Sequence, residues 1–126
     1  MPELSKDRVR LVAFLHPKPD ASFDEFSSYW VTTHGPLFMS LAIVKQNLLR
    51  YEQFHFTPAA NAQNPRHTLP YWGCAIFEAA SFELIHAVFA DPEYARVVRP
   101  DEEKFFDVEL TEVTAGHVAV FLDKDK

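Results

Sequence analysis

Four short runs rich in β-branched and aromatic residues divide the chain into a pattern that few folds satisfy. They are RVRLVAFLH at 8–16, LLRYEQFHF at 48–56, YWGCAIFEA at 71–79 and TEVTAGHVAVFLD at 111–123. Each has the length and residue types of a strand. In the second, Tyr51, Gln53 and His55 fall on one face, and Arg50, Glu52, Phe54 and Phe56 on the other. Segments with helical periodicity separate the first run from the second and the third from the fourth. The order β-α-β-β-α-β predicts a ferredoxin-like α+β fold, a four-stranded antiparallel sheet with both helices on one face. The first and last runs are apolar on both sides, so the open face needs a cover. A second copy of the chain is the simplest one, which predicts a homodimer.

The first helix has a clear start. Ser22 and Glu25 stand at capping-box spacing, so the helix should begin at Phe23. Phe26, Trp30 and Leu37 or Phe38 then recur at helical intervals, with His34 on the same stripe. Gly35-Pro36 should interrupt the helix, with a new piece restarting at Pro36. Ser81 can cap the second helix, where Phe82, Ile85, His86 and Phe89 are expected to share one face. ADPEYARVVRPDEEKFFD continues as broken helix and turn, and TPAANAQNPRHTLP (57–70) reads as one long loop.

Composition narrows the function. At 126 residues the chain fits one domain, 1–126. A net charge of −6 without any stripe of Lys or Arg argues against nucleic acid as a partner. The N-terminal stretch MPELSKDRVRLVAFL has neither the apolar core nor the cleavage site of a signal peptide. No stretch approaches a membrane span, and Cys74 is the sole cysteine, so a soluble cytoplasmic protein is expected. None of the six histidines falls into a metal-ligand spacing, and no Gly-rich phosphate loop or Gly-x-Ser-x-Gly elbow is present. Zinc, nucleotide and covalent acyl-transfer chemistry are therefore not expected.

The candidate site residues are aromatic or imidazole. His34 is either a helix-terminal histidine favoured by the macrodipole or a proton-transfer group facing the sheet. His117, in phase with Val113, Ala115, Ala119 and Phe121, reads as a cavity wall or as a satisfied core residue. His86 is a third candidate, from the apolar face of the second helix. Trp30, Tyr51, Trp72 and Phe89 are candidate aromatic walls, and Tyr94 either anchors a turn or hydrogen-bonds a ligand oxygen. His16 and His67 read as solvated surface.

The segments SFDEFSSYWVTTHGPL and FADPEYARVVRPDEEKFFD, set between these strands, resemble the EthD-like dimeric α+β barrel proteins. The Trp30…His34 spacing, the Asp91-Pro92 turn and DEEKFFD carry the likeness, which spans roughly Val9 to Phe121. Within that family the chain is most similar to small proteins of fungal aromatic-polyketide clusters. The resemblance implies a decarboxylase, dehydratase or cyclase working without metal or organic cofactor. Plant cyclases of the same fold carry a catalytic histidine where this chain has Tyr94, so that role does not transfer.

Together these point to a cofactor-independent lyase acting on an aromatic polyketide, decarboxylation first and dehydration or cyclisation next. His34 and His117 would move protons, with His86 or Tyr94 holding an oxygen. Two rivals stand beside it: a cofactor-free monooxygenase making quinones from phenols or anthrones, and a non-catalytic ligand-binding accessory protein.

Overall fold

The computed structural model describes residues 2–125. Four strands, β1 (Val9–Pro17), β2 (Arg50–His55), β3 (Gly73–Ala79) and β4 (Phe106–Gly116), form one antiparallel sheet in the order β2-β3-β1-β4. The helices are α1 (Phe23–Tyr29), α2 (Gly35–Met39), α3 (Ala42–Asn47), α4 (Pro58–Asn61), α5 (Phe82–Ala90) and α6 (Arg99–Phe105). Two π-helical turns, Trp30–His34 and Tyr94–Val98, complete the inventory. This is the expected ferredoxin-like arrangement.

Local signals hold where they are strongest. The Ser22 side chain accepts from the Glu25 backbone N–H at 3.2 Å, and Ser81 accepts from Leu84 at 3.3 Å, so both predicted caps are present. Of the predicted stripe Phe26, Trp30 and His34 are buried, and of the two alternatives at its end Phe38 is buried while Leu37 is half-buried. Leu11, Leu15, Ala75 and Phe77 of the central strands meet this stripe, and Ile85, Val88 and Val98 close the core from the second half.

Elsewhere the structure departs from expectation. Gly35-Pro36 does not stop the first helix. The chain stays helical from Phe23 to Met39, and the turn ahead of Pro36 widens to π geometry. Proline lacks an N–H and crowds the carbonyl four residues back; the wider turn relieves both without breaking the rod. The long 57–70 connection contains the short helix α4. The last strand starts at Phe106 and ends at Gly116, earlier at both ends than expected, and its pairing to β1 shifts between Phe14 and His16.

Two glycines are set by close approach. A Cβ on Gly73 would lie 2.6 Å from the Trp30 ring, and one on Gly35 would lie 2.8 Å from Gln53 Nε2. These positions let the first helix lie directly on β2 and β3. Among the described residues no helix is long and apolar enough to cross a membrane.

Candidate functional site

Between sheet and helices lies a cavity of about 100 Å³, or about 540 Å³ counted out through its open mouth. Its floor is a sequence feature: Ala13 and Ala75 sit opposite each other on the two central strands, where two methyl groups leave unfilled space. Trp30, Phe38, Tyr51, Phe77, Phe89 and Tyr94 wall the space, while Val108 and Thr111 of β4 line it from the edge. Three ionisable groups besides the two tyrosines matter here: His34 and Glu102, which face the cavity, and Asp101 behind His34.

His34 ends the first π turn and is buried. Its Nδ1 lies 2.9 Å from Asp101 Oδ2, and Asp101, itself buried, also accepts a hydrogen bond from the Tyr29 hydroxyl through Oδ1. A carboxylate can only accept, so His34 Nδ1 carries the proton and Nε2 carries the lone pair. Nε2 has no hydrogen-bond partner among the described residues. Among the described residues no sealed polar side-chain atom lacks one, so Nε2 is reachable from the cavity. Burial lowers the His34 pKa below its usual value, against a smaller upward pull from Asp101. The hydrogen bond to Asp101 pushes the Tyr29 phenol up to about 12, with burial adding to it. The ring of His34 also rests on Phe105, with centroids 4.8 Å apart.

The second π turn opens with Tyr94, whose hydroxyl donates to Glu102 Oε2 on α6. Burial raises the Glu102 carboxyl above the ordinary carboxylate range, and burial with the neighbouring Glu102 raises the Tyr94 phenol. One side of the cavity therefore offers a neutral imidazole lone pair, and another offers a carboxyl inclined to keep its proton. Opposed shifts of this kind separate a base from an acid.

A second polar chain runs from the surface to Tyr51. Ser27 Oγ lies 2.7 Å from His55 Nδ1, His55 Nε2 lies 2.9 Å from Gln53 Oε1, and Gln53 Nε2 donates to the Tyr51 oxygen at 3.0 Å and to the Trp30 carbonyl at 2.9 Å. Burial raises the Tyr51 phenol, while hydrogen bonding from Gln53 and Trp30 pulls it back. Burial lowers the His55 pKa, which keeps the ring neutral.

Of the sequence candidates, His34, Trp30, Tyr51, Phe89 and Tyr94 converge on this cavity. The other three do not. His117 is exposed and follows the end of β4 instead of standing inside a strand, because β4 finishes at Gly116. His86 is exposed on the outer face of α5 and stacks on Phe82, while Ile85 and Val88 face inward. Trp72 packs against Phe26 and Phe23 outside the cavity lining. The sequence alone does not single out Asp101 or Glu102, although both lie in the DEEKFFD segment, nor His55. The thiol of Cys74 is buried and pushed up, away from reactivity. Among the described residues no three His, Cys, Asp or Glu side chains gather into a metal-ligand set.

Comparison with known proteins agrees with the fold. A protein of Ustilaginoidea virens named Dehydratase ustZ is 29% identical over 111 residues, covering 79% of this chain and 75% of that one. An EthD-like protein of Ralstonia eutropha JMP134 superposes with a TM-score of 0.66 at 15% identity, covering 95% of this chain and 98% of that one. SnoaB of Streptomyces nogalater, described as a cofactor-independent oxygenase, shares the fold with a TM-score of 0.58 at 13% identity, covering 94% and 99%. A family model described as the EthD domain matches residues 18–109, and the chain belongs to the EthD domain family.

Proposed function

We propose that this protein is a cofactor-independent lyase that removes water from an aromatic polyketide-type ketone. The observation that carries the reading is the His34–Asp101 pair opening onto the same aromatic cavity as Glu102. His34 Nε2 takes the proton from the carbon next to a carbonyl; the C–H electron pair forms a double bond to the carbonyl carbon, and the carbonyl π pair moves onto oxygen as an enolate. The oxygen pair then re-forms the carbonyl, the double bond shifts to the next carbon, and the carbon–oxygen bond there breaks, its hydroxyl departing as water with a proton from Glu102. Transfer of the His34 proton back to Glu102 resets the site. Each proton transfer of this sort is typically worth about 10²–10⁴-fold in rate. The aromatic walls hold a flat ring system in a fixed orientation.

Dehydration fits this site better than decarboxylation. A paired base and acid suit removal of H and OH, no Lys or Arg lines the cavity to hold a substrate carboxylate, and the named relative is a dehydratase. The catalytic role goes to His34 and Glu102, with Trp30, Phe89 and Tyr94 binding the rings. A homodimer through the open sheet face is part of the same proposal, since Phe54 stands 57% exposed there, opposite Cys74 of β3; sedimentation at two concentrations tests it.

The experiment is incubation of purified protein with a panel of anthrone- and tetralone-type β-hydroxy ketones and carboxylic acids, followed by mass spectrometry. A product lighter by one water, absent with His34→Ala, is the expected result. Loss of carbon dioxide instead would return decarboxylation to first place. Gain of oxygen would favour the monooxygenase, and binding without turnover would leave an accessory role.

A further inference from the structure

The chain Ser27–His55–Gln53–Tyr51 has a direction, and that direction is dictated by backbone. The Trp30 carbonyl can only accept, so the side of the Gln53 amide facing it at 2.9 Å must be the NH₂ group. The reverse flip would set oxygen against oxygen. The second amide hydrogen then goes to the Tyr51 oxygen at 3.0 Å, and Gln53 Oε1 is left to accept from His55 Nε2–H at 2.9 Å. His55 Nδ1 is consequently the bare nitrogen and accepts from the Ser27 hydroxyl at 2.7 Å. Every donor along the chain is committed except the last. The Tyr51 hydroxyl accepts from Gln53 and donates to no protein group among the described residues, yet it lines the cavity.

We infer that Tyr51 is a directed hydrogen-bond donor to an oxygen that gains negative charge in the reaction, so that the substrate class is an aryl ketone whose carbonyl becomes an enolate. This rests on the lyase reading above, in which His34 removes the proton beside that carbonyl. Tyr51 is then a catalytic residue, and Gln53, His55 and Ser27 are positioning residues that keep its O–H aimed inward. Hydrogen bonds offered to developing charge in a dry site act mainly on the transition state.

The test uses 4-nitrophenol as a one-ring probe whose anion carries the charge of an enolate. Spectrophotometric titration reads the bound anion directly. The wild type should prefer the anion, lowering the pH at which the bound phenol ionises. Tyr51→Phe should cost on the order of 10- to 100-fold in anion affinity, as for hydrogen bonds to charged groups, and little for the neutral phenol. Gln53→Glu keeps Tyr51 but offers it a carboxylate, so the hydroxyl turns away from the cavity and the same loss is expected. Thermal melts verify that both variants fold, and if Tyr51→Phe does not, Gln53→Glu carries the test. Wild-type anion affinity in folded variants, or no anion preference in the wild type, overturns the inference. The readout needs no turnover. A Tyr51-dependent anion preference without dehydration would remove the reaction and keep the donor, whereas dehydration unchanged by Tyr51→Phe would do the reverse.

Discussion

The two halves of the molecule use one device for opposite chemical ends. In each, a helical segment widens into a π turn that opens with an aromatic residue, Trp30 or Tyr94, and a proline follows six residues after that aromatic, Pro36 or Pro100. In the first half the rod is continuous, and the π turn ends on His34, whose partner Asp101 comes from the other half. In the second half the helix breaks at Asp91, where the backbone is extended, and Tyr94 pairs with Glu102 of its own half. In the proposed chemistry one turn thus carries the base, His34, held from across the core. The other carries Tyr94, which holds the proposed acid, Glu102 of α6, locally. Burial drives both shifts, and the sign differs because desolvation disfavours the charged form of each group.

The comparison can be broken most severely at the groups themselves. His34→Ala and Glu102→Gln should each lower kcat by about 10²–10⁴-fold, and the double variant should lose little more than the worse single one, measured as initial rates on the responsive substrate. Asp101→Asn should come next. Losing the charge that raises the His34 pKa moves the acid limb of the kcat/KM profile to lower pH, with a fall in kcat on the order of 10²-fold from loss of the fixed tautomer. A pH titration of thermal stability separates the halves without any substrate. The His34 contribution is complete above its unfolded pKa near 6.5 and is lost as pH falls from there through the lowered folded value. The Glu102 contribution is complete below about 4.5 and declines as pH rises through its raised folded value. His34→Ala should flatten the first slope and Glu102→Gln the second. The smallest effects belong to Pro36→Ala and Pro100→Ala, which should change stability by about 1 kcal/mol or less, read from thermal melts. Activity should fall more for Pro36→Ala, because its π turn seats the base itself.

How much of this was legible in the chain depends on distance. Ser22, Ser81 and the strand runs act within a few residues, and the structure keeps them. Phe26, Trp30, His34 and Phe38 form one buried stripe, and their spacing carries a further signal. Four steps of an α-helix overshoot a full turn by about 40°, so three such steps should carry Phe38 well off the face of Phe26. A wider π turn cancels the drift, and strict four-residue spacing of buried residues is its signature. Asp101 could not be picked out because its role depends on residue 34, 67 positions away. His117 was misplaced because the polar residues of β4 hide where that strand begins, and a register shift against β1 erases simple alternation. His86 was misplaced because α5 is only nine residues long and apolar on both sides, so Phe82 drew it to the wrong face.

The floor of the cavity has a consequence for how such a protein diversifies. Ala13 and Ala75 carry no ionisable group, yet their two methyl groups line the chamber opposite each other. Lengthening either side chain would shorten the bore while leaving His34, Asp101 and Glu102 in place, and shaving the surrounding aromatics would lengthen it. Under the proposed function, guest size and reaction type then fall to separate residues of one scaffold, and each can drift without the other.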